Sequence, residues 1–401
     1  MKNIIQPKRI DLGAKRRILP GPEPALDTAG RVIRVCEPDL SGNELKYVMD
    51  AVRSGWISSG GPYVKKFEDT FAKKVGCRYG VSTTSATTAL HLIFALLRIG
   101  RGDEVIMPTF TMAAAANMLY QLGATPILID ADPRTWTMNP AHIEKKITKK
   151  TKMIVAIHIY GYPADMDPIM RIAKKYRLWL VEDAAEAHGA RYHGRKAGSM
   201  SDAAAFSFYG NKIITTGEGG MVTTNNPEIA RKARILRDHG FSETARFWHE
   251  YAAFNYRMTN LQAAVGVAQT ERFDKLANRR IRNAKLYNRL LGKISGITLP
   301  PETAGIKNVT WMYGILIDKE KFGMTRDGLR AALARRGIET RSFFVPIHLQ
   351  PVFYDPKSRE QYPVSEMLCE RGLYLPQSSK MTDEEVWYVA EHIKTIHREC
   401  A

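Results

Sequence analysis

The chain has 401 residues, of which 44% are apolar, and its formal net charge is +18. This length allows a large buried core and predicts two or three structural units. The longest apolar run, residues 89–97, is much shorter than the roughly 20 residues of a membrane-spanning helix. No apolar stretch follows the basic start, so neither a membrane span nor a secretory signal is predicted, and the expected location is the cytoplasm.

The spacing of the cysteines and of the basic residues argues against two further kinds of site. The four cysteines and ten histidines show no metal-like spacing, so no metal site is predicted. The basic residues are spread over amphipathic helical patterns at 145–152, 279–285 and 330–336, which is typical of solvated faces, and no nucleic-acid-binding motif accompanies them. A basic field of this kind favours the capture of anionic small molecules, such as nucleotide sugars, and no nucleic acid is expected as a partner.

Along the chain, residues 1–30 show little apolar periodicity and are predicted to form an extended arm. After them, β-rich runs alternate with helix-length segments such as 167–176. The runs are EVIMP (104–108), TPILID (125–130), KMIVAIHIY (152–160), RLWLVED (177–183) and AAAFSFYG (203–210). Apolar strands that alternate with helices predict the α/β class, with a mostly parallel central sheet covered by helices.

A long helical pattern at residues 259–292 is expected to link this sheet to a smaller α+β domain. The smaller domain carries a predicted strand at 310–318 and predicted helices at 325–337 and 383–398. The predicted organisation is therefore an arm (1–30), a large α/β domain (31–285) and a small C-terminal α+β domain (286–401). Residues 31–55 are expected either to belong to the large domain or to pack on the small one.

Two chemically active side chains follow predicted strands. Asp183 ends the run 177–183, and Lys212 lies just past the run 203–210. Since functional groups of a parallel sheet gather at the carboxyl ends of its strands, both are expected at the same edge. A lysine amine can hold the aldehyde of pyridoxal phosphate (PLP) as an imine, and a carboxylate at the pyridine nitrogen turns the ring into an electron sink. The pair predicts an enzyme that handles amino groups, against the alternatives of a surface lysine and of an aspartate that caps a helix.

The stretch Ser85–Thr88 opens the apolar helical segment ALHLIFALL. Free backbone amides and the helix dipole favour an anion at such a position, so we expect Thr87 and Thr88 near the cofactor phosphate. The alternative is that this cluster only caps the helix.

Six segments between Ser54 and Ala264 form a combined signature. They are SGWISSGGPYVKKFE (54–68), SATTALHL (85–92), GDEVIMPTFT (102–111), VEDAAEAHG (181–189), FSFYGNKIITTGEGGM (206–221) and FNYRMTNLQAA (254–264). In this order they resemble the DegT/StrS-type nucleotide-sugar aminotransferase family of fold type I PLP enzymes. The resemblance implies an aminotransferase with PLP as cofactor, pyridoxamine phosphate as its intermediate form, and a nucleotide-sugar substrate.

The resemblance also implies roles for individual residues. Lys212 matches the lysine that binds the cofactor covalently, and Asp183 matches the partner of the pyridine nitrogen. Glu186 matches a position near the ring hydroxyl, and Ser207 matches a phosphate-binding serine. Asn255 matches an asparagine that reaches the phosphate of the neighbouring subunit, which implies a homodimer.

At two cofactor positions the chain departs from the family pattern. Met112 stands where an aromatic residue usually stacks on the cofactor ring, and its thioether can pack on that ring through sulfur contacts. Ala86 stands at the glycine position of the phosphate segment, next to Thr87, so the approach of the backbone to the phosphate is expected to differ.

The segment 246–260 is most similar to family members that convert a GDP-linked 4-keto-6-deoxymannose to its 4-amino sugar for surface polysaccharide (O-antigen) biosynthesis, with glutamate as the expected amino donor. A UDP- or dTDP-linked keto sugar is the first alternative, and a PLP-binding regulatory protein is the second. Trp248, His249, Arg341 and His348 are predicted to contact the substrate. The alternatives are an interface anchor for Trp248 and a structural hydrogen bond for His348.

Overall fold

The computed structural model describes residues 23–24, 32–245 and 247–400. The predicted arm, residues 1–30, lies outside the described residues apart from Glu23 and Pro24. Within the described part of the chain, no helix combines the length and the apolar character that a membrane crossing requires.

The helices and strands are labelled in chain order. The helices are α1 Glu44–Arg53, α2 Pro62–Val75, α3 Ala86–Leu96, α4 Ala114–Leu122, α5 Met166–Tyr176, α6 Pro227–Arg237, α7 Asn260–Glu271, α8 Phe273–Leu291, α9 Lys319–Phe322, α10 Arg326–Ala334, α11 Pro363–Arg371 and α12 Asp383–Cys400. The strands are β1 Tyr79–Thr83, β2 Glu104–Pro108, β3 Thr125–Ile129, β4 Thr151–Ile157, β5 Trp179–Asp183, β6 Arg191–Tyr192, β7 Arg195–Lys196, β8 Ala203–Ser207, β9 Gly220–Thr224, β10 Ile297–Thr298, β11 Ile306–Lys307, β12 Tyr313–Ile317, β13 Arg341–Ser342 and β14 Gly372–Leu375.

The large sheet has seven strands in the order β1-β9-β8-β5-β4-β2-β3. The strands from β8 to β3 are parallel to one another, and β9 runs antiparallel to both of its neighbours. Alternate residues of β2 pack on opposite faces: Val105 and Met107 pack with α3 and α4, and Ile106 packs with α5. The prediction of a mostly parallel sheet covered by helices is confirmed.

The small sheet is antiparallel, in the order β10-β12-β14-β13. Its core includes side chains from the second half of α8, from α10 and from α12, such as Tyr287, Leu333 and Ile393. Segment 32–35 lies against this part of the molecule, because the Gln377 amide donates to the Val35 carbonyl at 2.9 Å. A third sheet, β11-β6-β7, contains only two-residue strands.

The segment 259–292 is helical, as predicted, and the structure corrects one prediction about its basic residues. The pattern forms two helices, α7 and α8, that are separated at Arg272, where the backbone has φ −101° and ψ 6°. The run 279–285 is also not simply a solvated face, since Arg280 and Asn283 are buried on the inner side of α8. Neither a glycine nor a proline marks the break, so local sequence gives no signal for it.

Strand register brings the ends of four strands to one edge of the large sheet. Asp183, the last residue of β5, is paired with Ala205 of β8. Two residues further along β8, Ser207 is paired with Gly220 of β9, which is paired in turn with Thr83 of β1. This edge is called the strand-end edge below, and it carries the residues of the candidate site.

The strand-end edge requires glycine at position 220. A Cβ on Gly220 would lie 2.2 Å from the Ser85 carbonyl oxygen, which belongs to the backbone turn between β1 and α3. We expect Gly220→Ala to lower the free energy of unfolding by about 1–3 kcal/mol, as overpacking does in well-packed cores. Gly210→Ala is the matched control, because the nearest atom to its added Cβ lies 3.9 Å away. Thermal or urea unfolding that finds both variants equally stable would contradict the close approach.

Candidate active site

Asp183 is buried at the end of β5. Its Oδ1 accepts a hydrogen bond from the Ala185 amide at 3.1 Å, and residues 185–186 and 188–189 form turns. The alternative of a helix cap is therefore wrong, because the side chain caps a turn. Burial raises the pKa of Asp183, while the Ala185 amide and the positive charge of Lys212 act in the opposite direction.

The neighbouring carboxylate, Glu182, points to the other face of the sheet and has a structural role. It accepts hydrogen bonds from His158 at 2.9 Å, from the amides of Gly198 and Met200 at 2.8 Å each, and from the Ser201 hydroxyl at 2.8 Å. Burial alone would raise the pKa of Glu182, but these donors outweigh it and the pKa is lowered. Glu182 therefore fixes the segment after β7 beneath the site.

Lys212 lies in the loop between β8 and β9, and backbone hydrogen bonds close this loop at its base. The Phe208 amide donates to the Gly219 carbonyl at 2.8 Å, and the Thr216 amide donates to the Phe208 carbonyl at 2.9 Å. Within the loop, the Lys212 amide donates to the Tyr209 carbonyl at 2.9 Å. The turn-rich sequence thus forms a closed frame that directs the lysine inward.

The Lys212 side chain is only 10% exposed, so the alternative of a surface lysine is wrong. Its Nζ lies 3.9 Å from Glu186 Oε1 and 3.5 Å from the centre of the Trp311 ring. Burial lowers the pKa of Lys212, although the carboxylates of Glu186 and Asp183 act against this shift. A lowered pKa increases the fraction of neutral amine, which is the form that acts as a nucleophile and accepts a proton.

Glu186 is held in place by the backbone of Tyr160. The Tyr160 amide donates to Glu186 Oε2 at 2.7 Å, which leaves Oε1 towards Lys212. Tyr160 adopts a left-handed conformation with φ 53°, an uncommon conformation for an aromatic residue. Burial raises the pKa of Glu186 to about 7, and the charge of Lys212 limits the rise.

The N-terminus of α3 forms the opposite end of the strand-end edge. Ser85 caps the helix in a capping box with Thr88: the Thr88 amide donates to Ser85 Oγ at 3.1 Å, and the Ser85 amide donates to Thr88 Oγ1 at 3.0 Å. Ser85 and Thr88 therefore cap the helix, and the phosphate role of Thr87 and Thr88 stays a prediction. The amides of Ala86 and Thr87, in the first turn, have no intrahelical partner and remain suited to an anion.

Ser207, Met112 and Asn255 lie in different surroundings. Ser207 is buried at the end of β8, and its Oγ accepts the Tyr209 amide at 3.4 Å. Met112 is 53% exposed in the loop after β2, and its Sδ accepts the Ala114 amide at 3.2 Å. Asn255 is exposed, and its Oδ1 accepts a hydrogen bond from Arg257 Nε at 3.0 Å.

The four predicted substrate residues fall into three separate places. Trp248 and His249 lie in an exposed loop, where the His249 ring is hydrogen-bonded to the His239 carbonyl at 2.8 Å. Arg341 is exposed on β13 and paired with Glu339 at 3.1 Å. His348 bridges two parts of the chain, because its Nδ1 lies 2.7 Å from Thr109 Oγ1 and its Nε2 lies 3.2 Å from Glu366 Oε1.

Two residues of the site were not predicted. Trp311 was interpreted only as part of a strand, although its ring covers the Lys212 amine. Tyr160 likewise lies in a predicted strand, although its amide holds Glu186.

His188 is fully buried among Phe71, Phe206 and Phe208, and burial lowers its pKa to about 3, so the ring is neutral.

Comparison with known proteins identifies the family. The model of the DegT/DnrJ/EryC1/StrS aminotransferase family matches residues 38–394. The chain belongs to this family. GDP-perosamine synthase of Caulobacter vibrioides is 42% identical over 88% of this chain and 95% of that protein, and the enzyme of the same name in Escherichia coli O157:H7 is 39% identical over 92% and 99%. The structure of a proposed sugar aminotransferase of Streptococcus pneumoniae, solved in its PLP form, matches with a TM-score of 0.86 at 29% identity. The match covers 92% of this chain and 100% of the Streptococcus chain.

The family assignment makes this chain a PLP-dependent sugar aminotransferase of fold type I. The groups of the strand-end edge fit that cofactor chemically. A largely buried lysine amine suits an aldehyde, a buried carboxylate suits a protonated pyridine nitrogen, and a helix N-terminus with two amides outside the helical bonding suits a phosphate.

The raised pKa of Glu186 gives a test in the cofactor-free protein. Because this pKa rises from 4.5 to about 7 on folding, the carboxyl group contributes stability that is lost as the pH rises towards 7. We expect Glu186→Gln to raise the thermal unfolding midpoint, and by more at about pH 8 than at about pH 6. The gain in the free energy of unfolding should be about 1 kcal/mol larger at the higher pH. Glu182→Gln is the control, and it should destabilise at both pH values because it breaks a satisfied network. A pH-independent effect of Glu186→Gln would refute the assignment.

Proposed function

We propose that the chain transfers an amino group from glutamate to GDP-4-keto-6-deoxymannose and forms GDP-perosamine for surface polysaccharide biosynthesis. The observation that carries the proposal is the buried amine of Lys212, which lies 3.9 Å from the carboxylate of Glu186 at the strand-end edge. The choice of sugar is supported by two relatives, both named GDP-perosamine synthase, that are 42% and 39% identical and match nearly their whole length.

The phosphate of the cofactor is assigned to the amides of Ala86 and Thr87 and to the hydroxyl of Ser207. The amides belong to the first turn of α3, where the helix dipole adds to the attraction for an anion. Ser207 lies on β8, opposite Gly220, whose lack of a side chain allows the close approach of the α3 turn. These residues bind and orient the cofactor but do not take part in proton transfer.

The chemistry is assigned to Lys212, Asp183 and Glu186. PLP, when bound, supplies an electron sink that stabilises negative charge at the carbon bearing the amino group. Asp183 keeps the pyridine nitrogen protonated, and Lys212 Nζ carries the proton removed from the α-carbon of the donor. Glu186 Oε1 faces Lys212 Nζ, and its pKa of about 7 allows the carboxylate to exchange a proton with the amine near neutral pH.

Completion of the site is assigned to a second copy of the chain in a cytoplasmic homodimer. Asn255 is exposed, and we assign it to the phosphate of the partner copy. Helix α1 supports such an interface, because Leu45, Met49 and Val52 form an exposed apolar stripe that is continued by Trp56. The substrate contacts of Trp248, His249, Arg341 and His348 remain predictions.

The proposed reaction is tested with the pyridoxamine form of the purified enzyme. We expect GDP-4-keto-6-deoxymannose to be aminated with a kcat/KM at least about tenfold above that of dTDP- or UDP-linked keto sugars. Each amination consumes the pyridoxamine form, and glutamate should then restore the absorbance of that form at about 330 nm. Lys212→Ala should lose at least about 100-fold in both half-reactions, whereas Lys285→Ala, at an exposed position of α8, should remain active.

Two outcomes would overturn parts of this proposal. A preference for a dTDP- or UDP-linked sugar would replace the substrate, and an active Lys212→Ala variant would remove the catalytic role of the lysine. Retention on DNA that is lost with added salt, without amination of any sugar, would favour the regulatory alternative.

A further inference from the structure

Arg280 is a buried cation directly behind the candidate site. It lies on the inner face of α8 and is only 1% exposed. Its NH1 donates to the Trp311 carbonyl at 2.6 Å and to the Gln377 carbonyl at 2.9 Å, and its Nε donates to Ser379 Oγ at 3.3 Å. The guanidinium group therefore joins α8 to the segment before β12 and to the segment after β14.

The charge of Arg280 has no acidic partner in the described part of the chain. None of the ion pairs among residues 32–245 and 247–400 includes it, and its hydrogen bonds go to carbonyl, hydroxyl and thiol groups. A buried charge without a counter-ion is costly, and packing alone would be served equally well by an apolar side chain. This cost indicates that the charge or the fork of donors has a use.

The contacts of Arg280 lead to Lys212 through Asn211 and Trp311. The Asn211 carbonyl, one residue before the lysine, accepts the Trp311 indole N–H at 2.9 Å, the Cys36 thiol at 3.2 Å and Arg280 NH2 at 3.4 Å. The same Arg280 holds the backbone carbonyl of Trp311, whose ring lies against Lys212 Nζ. One guanidinium group thus holds the backbone of Asn211, which precedes the lysine, and the backbone of Trp311, whose ring covers the amine.

We propose that Arg280 is a positioning residue for Lys212: it holds the backbone carbonyls of Asn211 and Trp311, and it adds an uncompensated positive charge beside the segment that carries the amine. The inference rests on the proposed role of Lys212. The charge favours the neutral amine, because a second cation nearby opposes protonation. Burial is the larger cause of the lowered pKa of Lys212, and Arg280 acts in the same direction.

Two substitutions separate the charge of Arg280 from its geometry. Arg280→Met keeps the apolar stem but removes the charge and the donors, whereas Arg280→Lys keeps a hydrogen-bond donor but loses the planar fork. Arg326→Met is the matched control, because Arg326 is also buried and also donates to two backbone carbonyls, those of Cys369 and Gly372, at 3.2 and 3.0 Å. All three variants are expected to lose stability, so stability alone decides nothing.

The deciding measurement is the pH dependence of Lys212 carbamylation by cyanate in the cofactor-free protein, followed by peptide mass spectrometry. Cyanate reacts with the neutral amine, so the pH midpoint reports the pKa of Lys212. We expect Arg280→Met to raise this midpoint measurably and Arg326→Met to leave it unchanged, because Arg280 is the arginine whose charge opposes protonation of Lys212. Arg280→Lys should lower kcat about tenfold at an unchanged KM for the sugar, because the lysine is misplaced while substrate contacts persist.

The proposal is overturned by an unchanged midpoint in Arg280→Met, or by a shift of equal size in Arg326→Met. If Arg280→Met does not fold, Arg280→Lys decides, and wild-type kcat in that variant would overturn the positioning role. Since carbamylation needs neither cofactor nor sugar, the midpoint result stands apart from the identity of the substrate.

Discussion

The site depends on the burial of three ionisable side chains, Asp183, Glu186 and Lys212, at one edge of a parallel sheet. Removing a charge from water costs several kcal/mol, whereas two opposite charges about 4 Å apart regain about 4 kcal/mol at an effective dielectric constant of about 20. Burial therefore raises the pKa of Glu186 and lowers that of Lys212, while the attraction between the two groups limits both shifts. Both shifts ease the exchange of a proton between the carboxyl group and the amine, which amino-group transfer requires of the protein.

The fold places two neighbouring carboxylates in different surroundings, so their pKa values shift in opposite directions. Glu182 and Asp183 are adjacent in β5, yet the strand sends them to opposite faces of the sheet. Glu182 meets His158 and two backbone amides, and its pKa is lowered. Asp183 meets one amide, and burial raises its pKa. The number of donors that each carboxylate meets therefore decides which one is structural and which one is available for the cofactor.

Much of the architecture could be predicted from the sequence because its signals are local. Strand β2 occupies the five residues of the run EVIMP, and Asp183 and Lys212 both follow strands, as apolar runs and turn-rich flanks indicate. Strands β1 and β9 are not predicted from the sequence, since each contains a glycine, which weakens a strand signal. Trp311 and Arg280 cannot be assigned to the site from the sequence, because they meet Lys212 and Asn211 only through tertiary packing of distant segments. Arg280 illustrates the limit most clearly: a basic run on a helix predicts a solvated face, and only packing shows which member of the run is buried.

The most direct test of the site is chemical capture of the cofactor. Purified protein is incubated with PLP and reduced with borohydride, and the modified peptide is identified by mass spectrometry. Modification of Lys212 alone, lost in Lys212→Ala and weakened in Asp183→Asn, is the expected result. Stable reduction onto a different lysine, or a chain that binds no PLP, would contradict the assignment of this buried amine as the catalytic centre.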